Sequence, residues 1–306
     1  MVRPVAFIWK VFQNIVLLAF IVWGSMLEAQ TLEQGILALE SGQLDNAERI
    51  FSAIVQSHPD VGDAIFYLGL THFRAGRAAA AIPFLERAVV LWPVSARAWK
   101  TLGLANTSGG HLEGAVRALD KACELAPNDE EACYYFARSL HAAGRYELAR
   151  EPFEKSLRTA PKQMLSRVHR AAALNFYALG MPAEAERHFV KAVQLNGRTA
   201  GEREDPRIDY GAFLFRQGRT EEALRPLEQA VRDAPSSARA NTEWGRVLLH
   251  VGRVEAAAIC LEKAVALEPG NSNARLLLGS AYLRLGKTNE GEREMRLGQE
   301  GWASKK

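Results

Sequence analysis

Cysteine is scarce, with three in 306 residues, too few to hold a chain of this length in a disulfide framework. Aromatic residues reach only 8%. Their sparseness, with that of the β-branched residues, argues against β-sandwiches and barrels. Neither sign of charge dominates: 38 basic against 35 acidic residues leave +3, which gives no ground for a nucleic-acid partner. No apolar run reaches the roughly 20 residues that a bilayer-spanning helix needs; the longest is the nine of Ile15–Trp23. Alanine and leucine are abundant instead, 48 and 36 residues, and they are the two best helix formers. With 48% apolar and 24% charged residues, the chain has a globular balance and a helical bias.

The first thirty residues stand apart. Arg3 and Lys10 precede the apolar run, and Leu27 and Ala29 take the −3 and −1 places of a cut before Gln30. A basic start, a short apolar core and a small residue at the cut describe a secretory signal peptide over residues 1–29. The rival reading is an uncleaved N-terminal anchor. Extending the run leftward meets Asn14, Gln13 and Lys10, each costly in hydrocarbon. No cysteine follows the run to carry a lipid. The expected location is therefore periplasmic or secreted, with the membrane involved only through this segment if it is retained.

From residue 28 onward the chain repeats with a period of 34. Pro59, Pro93, Pro127 and Pro161 keep this spacing, as do Pro235 and Pro269. A small-residue column runs Gly35, Gly69, Gly103, Ala137, Ala173, Gly211, Gly245, Gly279. Seven residues after each stands another glycine, from Gly42 to Gly286. Alanine follows five later, as in Ala81 and Ala115, and a large apolar residue four beyond that, as in Phe51, Leu85 and Leu119. Each unit reads as two helices, one ending at the mid-repeat glycine and the other at the proline. Alone, such a pair cannot bury its apolar stripe, so units must stack.

These columns resemble the tetratricopeptide repeat family, with its pattern W-x2-L-G-x2-Y, A-x3-F, P. Trp99, Leu102, Gly103, Ala115, Leu119, Ala122 and Pro127 match it best. The resemblance implies an all-α solenoid, a right-handed superhelix of about eight units over residues 30–306. The units fall at 28–61, 62–95, 96–129, 130–163, 166–199, 204–237, 238–271 and 272–305. Met164–Leu165 and a charged stretch within 199–203 interrupt the register and read as longer loops, the alternative being a hinge or a partner-contacting loop. Pro83, Pro152 and Pro226 fall inside second helices and should bend them.

No catalytic constellation emerges. The seven histidines lack metal-ligand spacing, and no nucleophile elbow or phosphate-binding loop is present, so no enzyme activity, cofactor or metal is expected. Cys123 and Cys133 flank the Pro127 turn. An exported protein could bridge them, but packed helix axes 8–10 Å apart favour two small buried thiols.

By the resemblance, first helices line a concave groove. It would carry Asp63, Phe66, Arg74, Arg97, Phe215 and Arg239, and above all Lys100, Tyr134, Arg138, His141, Arg170, Tyr177, Arg216 and Arg246. Arginine and tyrosine are enriched where interfaces carry their energy. The leading expectation is a non-catalytic scaffold of the cell envelope holding another protein or an extended, acidic peptide. Leu70 and Leu104 stand where a chaperone-tail clamp would want asparagine, which disfavours that adaptor class. The alternatives are an accessory subunit of an envelope-polymer enzyme (polysaccharide or peptidoglycan) and a carbohydrate-chain binder using the same aromatics.

Overall fold

The computed structural model describes residues 30–129, 131–196 and 205–303. The proposed signal peptide and the charged stretch within 199–203 lie outside the described residues. Among those described there are sixteen helices and no strand: α1 (30–40), α2 (Leu44–Ser57), α3 (Gly62–Arg74), α4 (Ala78–Leu91), α5 (Ala96–Ser108), α6 (Leu112–Leu125), α7 (Ala132–Ala142), α8 (Arg150–Thr159), α9 (Lys162–Ala178), α10 (Pro182–Gln194), α11 (Pro206–Arg216), α12 (Thr220–Asp233), α13 (Ala238–His250), α14 (Val254–Leu267), α15 (Ser272–Arg284) and α16 (Thr288–Ala303). They alternate as first and second helices of successive pairs.

The turn within each pair is set by its glycine. All eight, Gly42 to Gly286, have φ between 72° and 80°, a region that costs a side chain energy. At Gly110 the chain closes α5 with two bonds, Gly110 N–H to Thr107 O at 3.2 Å and His111 N–H to Asn106 O at 2.8 Å. This pairing satisfies carbonyls that the helix end would otherwise strand. Between pairs, the residue two after the proline caps the next helix: Ser95, Ser237 and Asn271 accept from the N–H three residues on, and Asp129 from Glu131 and Ala132.

Packing within a pair seats the large column in the small one. A Cβ at Gly103 would lie 2.4 Å from Leu119 Cγ, and at Gly211 2.5 Å from Leu227 Cγ. Only glycine lets these helices approach so closely. Leu85, Leu227 and Leu261 are wholly buried, and Leu119 is nearly so.

The chain divides into two compact units, one ending at Lys155 and the other starting at Ser156. In the first unit, α3 meets α5 and α5 meets α7; in the second, α9 meets α11, α11 meets α13 and α13 meets α15. The second helices α2, α4 and α6 of the first unit, and α10, α12, α14 and α16 of the second, do not meet one another in this way. In each unit the first helices form the tighter layer.

Three local expectations need correction. Met164 and Leu165 are not a loop, because they lie in α9, which is 17 residues long; the inserted residues extend the helix N-terminally. Pro152 does not fall mid-helix: residues 146–149 form turns and α8 starts at Arg150. Proline has no N–H to bond the carbonyl four back, so the regular helix starts late and leaves Pro152 in its first turn. Cys123 and Cys133 are joined in a disulfide. They sit at the end of α6 and the start of α7, where a tight turn brings the Cα atoms to 4.8 Å, well inside the helix-axis spacing that argued for free thiols.

Candidate functional site

The first-helix layer of each unit is where the sequence placed partner contacts. In the first unit, Lys100 on α5 sets its Nζ 2.9 Å from Asp129 Oδ2 and 3.6 Å from Glu131 Oε2. Asp129 also accepts two backbone N–H bonds at the start of α7. Burial opposes ionisation of Asp129, yet the bonds from Lys100 and the two amides hold its carboxyl below the usual range. Lys100 thus fastens one repeat to the next, and its charge is already matched.

Tyr134, expected in the groove, is 1% exposed. It is a core residue of α7, packed against Tyr135 with ring centroids 5.2 Å apart, and offers a partner no surface. The exposed Arg138 lies over it, guanidinium carbon 5.6 Å from the ring centroid. His141, half-buried, packs on Tyr146. Phe66 is also buried, with exposed Arg97 above it at 5.1 Å and above Tyr67 at 5.4 Å. Arginines here cover aromatic faces, a stabilising arrangement, and each donates to a tyrosine hydroxyl, Arg97 to Tyr67 at 3.4 Å and Arg138 to Tyr134 at 3.5 Å.

In the second unit a single carboxylate gathers three first helices. Asp209 on α11, only 7% exposed, accepts from Arg170 Nε on α9 at 2.5 Å and from Arg239 on α13. Arg246 pairs with Glu243 on its own helix at 3.1 Å. Tyr177, half-buried, meets Phe213 edge-on at 5.3 Å. Arg216 is exposed at the end of α11, beside Phe215, whose ring is edge-on to His250 at 5.2 Å.

The expected set therefore separates. Lys100, Arg170 and Arg246 are held in ion pairs and Tyr134 is interior, while Arg138 and Arg216 present exposed charge. The acidic partners Asp129 and Asp209 were not anticipated. Asp129 carried a signal, two residues after Pro127 in the capping column; Asp209 carried none.

Two of the histidines meet in the structure: His169 and His188, on α9 and α10, bring their Nδ1 atoms to 3.0 Å. Burial, the neighbouring ring and Lys191 hold His169 at about 4; burial and Arg187 lower His188. Among the described residues no group of three or more His, Cys, Asp or Glu side chains could hold a metal.

The tetratricopeptide repeat profile matches residues 32–96, 80–130, 108–163, 213–259 and 242–292. The chain is 28% identical to Tetratricopeptide repeat protein 13 of Homo sapiens over 160 residues, 50% of this chain and 18% of that protein. It is 34% identical to Cellulose synthase operon protein C of Komagataeibacter xylinus over 87 residues, 28% of this chain and 7% of that one. The match thus spans less than a fifth of either relative. A solved tetratricopeptide repeat protein from Parabacteroides merdae superposes with TM-score 0.66 at 19% identity, over 83% of this chain and 98% of that one, which speaks to fold alone. With profile matches over most of its length and its helices paired glycine by glycine, the chain belongs to the tetratricopeptide repeat family.

Proposed function

We propose that the protein is a non-catalytic scaffold of the cell envelope that binds another protein, or an extended segment of one, on its first-helix faces. The observation that carries this reading is the solvent-exposed arginines and half-buried aromatic rings that the first helices present. These are Arg97 and Arg138 in the first unit, each over a tyrosine ring, and Arg216 with Phe215 and Tyr177 in the second. Such groups are preformed and cost little ordering on binding. Because Lys100, Arg170 and Arg246 already have acidic partners, an acidic segment would be read by a few arginines rather than by a continuous basic track.

Export draws support from the Cys123–Cys133 disulfide, since such bonds persist in oxidising compartments. Intact-mass measurement of the protein from cell fractions tests it: a mature chain beginning at Gln30 outside the cytoplasm is expected, and a full-length cytosolic chain would exclude it. Capture of partners from the envelope by wild type, by Arg138→Ala with Arg216→Ala, and by Arg232→Ala tests the binding face. Arg232 lies on the second helix α12. The double variant should lose the partner and Arg232→Ala retain it; equal capture by both excludes the first-helix faces.

A second reading, an accessory role in building an envelope polysaccharide, draws on the stretch shared with the cellulose synthase operon protein. It predicts co-sedimentation with the polymer, which the scaffold reading does not.

A further inference from the structure

A concave surface in the first unit lies away from the first-helix layer. It opens between the second helices α4 and α6, encloses about 930 Å³, and has the back of α5 as its floor. Two features of the sequence create it. The second helices splay, since α5 touches α3 and α7 while α4 and α6 stay apart. And Asn106 stands where the family pattern W-x2-L-G-x2-Y, read from Trp99, would place tyrosine. In the other repeats this column holds Ala38 in the first and then His72, Leu140, Phe176, Leu214, Leu248 and Tyr282. Asn106 instead folds back, its Nδ2 donating to Leu102 O at 3.0 Å, and leaves the space unfilled.

The walls and floor are mainly apolar, with Ile82, Val89, Val90, Trp99, Leu102 and Leu112, and Asn106 and His111 add polar groups. Val90 is 78% exposed, and Leu112 on the facing wall is exposed too. Exposed aliphatic residues concentrated around a groove mark an interaction surface rather than ordinary surface scatter. The two walls carry opposite charge. Glu86 on α4 and Arg117 on α6 are both exposed at the rim, whereas Glu113, also on α6, is matched by Arg145 at 2.8 Å.

We propose that this groove binds an amphipathic helix of a partner protein, apolar along one stripe with an aromatic anchor for the hollow above Asn106. One flank of that stripe is basic toward Glu86 and the other acidic toward Arg117. Helix-in-groove recognition uses such a stripe, with anchors at i, i+3/i+4 and i+7, and a large aromatic side chain in a desolvated pocket supplies most of the energy. This surface is separate from the first-helix faces, and its test does not depend on them.

The test uses the full chain and a synthetic helix of about 18 residues, with phenylalanine and leucines at those anchor spacings, lysines on one flank and glutamates on the other. Fluorescence anisotropy of the labelled helix should saturate on the wild-type protein. Val90→Glu and Leu112→Glu change exposed side chains and leave the core intact; each should weaken binding roughly tenfold or more. Glu86→Lys should weaken it less, and more so at low salt. Asn106→Tyr, which restores the family pattern, should abolish it, whereas Arg232→Ala should leave it unchanged. Absence of saturable binding, or equal binding by wild type, Val90→Glu and Leu112→Glu, overturns the proposal. So does a concentration-dependent dimer of the full chain that Val90→Glu dissociates, because the occupant is then a second copy.

Discussion

The close approach of helices at Gly103 makes that position unusually sensitive to a single carbon. Replacing an interior helical glycine by alanine ordinarily gains about 1 kcal/mol of helix propensity. Here the new Cβ would lie 2.4 Å from Leu119 Cγ, the branch atom of a buried side chain that cannot swing away. Overpacking costs about 1–3 kcal/mol, so Gly103→Ala should lower stability despite the better propensity. Urea unfolding measures the sign, and a gain would mean that α5 and α6 separate at no cost. The histidine pair gives a second prediction at this scale. Burial, then the neighbouring ring and Lys191, hold His169 at about 4, and His188 is lowered too, while an unfolded histidine titrates near 6.5. Below that value the unfolded chain takes up protons that the folded one refuses, so stability is full above about pH 6.5 and falls as pH drops toward 4. The rings are partly exposed, so the effect should be on the order of 1 kcal/mol after screening. His169→Gln should flatten the difference between unfolding at pH 7 and at pH 4.5; an unchanged slope would assign the acid sensitivity elsewhere.

At the scale of elements, the 34-residue period showed where helices start and stop better than how they begin and join. The glycine after each first helix was legible because left-handed φ is a property of one residue. The late start of α8 was not, because it depends on which carbonyl Pro152 leaves unbonded. The disulfide between α6 and α7 was missed for a related reason. Helix-to-helix spacing describes mid-helix positions, whereas Cys123 and Cys133 sit at the two ends of a tight turn. Closing a loop across ten residues of separation should stabilise by about 2–3 kcal/mol through the unfolded state. Cys123→Ala with Cys133→Ala should therefore lower the unfolding midpoint, with hydrogen-exchange protection lost first in α6 and α7. Equal protection with and without the bond would show that the turn is held by its capping residue Asp129 and by Lys100 alone.

For the whole molecule, the pairing of helices followed from columns of single residues, while the chemistry of its faces did not. A period says which side chains share a layer, and it placed Lys100, Arg138, Arg170 and Arg246 on first helices correctly. It cannot say that Asp129 and Asp209 arrive beside two of them, because those contacts join residues 29 and 39 positions apart through the stacking of repeats. Nor could it show that Asn106 leaves a groove, since the space belongs to α4 and α6 jointly. The same nearest-neighbour construction governs stability. Within each unit the contacts join helices of one repeat or of adjoining repeats, so energy is a sum of local interfaces rather than of one core. Gly245→Leu tests this in the second unit. A Cβ there already lies 2.6 Å from Leu261 Cγ, and the rest of a leucine must displace α14 from α13. Hydrogen exchange should show protection lost in α13, α14 and α15, with α3 to α6 of the first unit unchanged. Uniform loss through both units would instead require a cooperative core that these contacts do not provide.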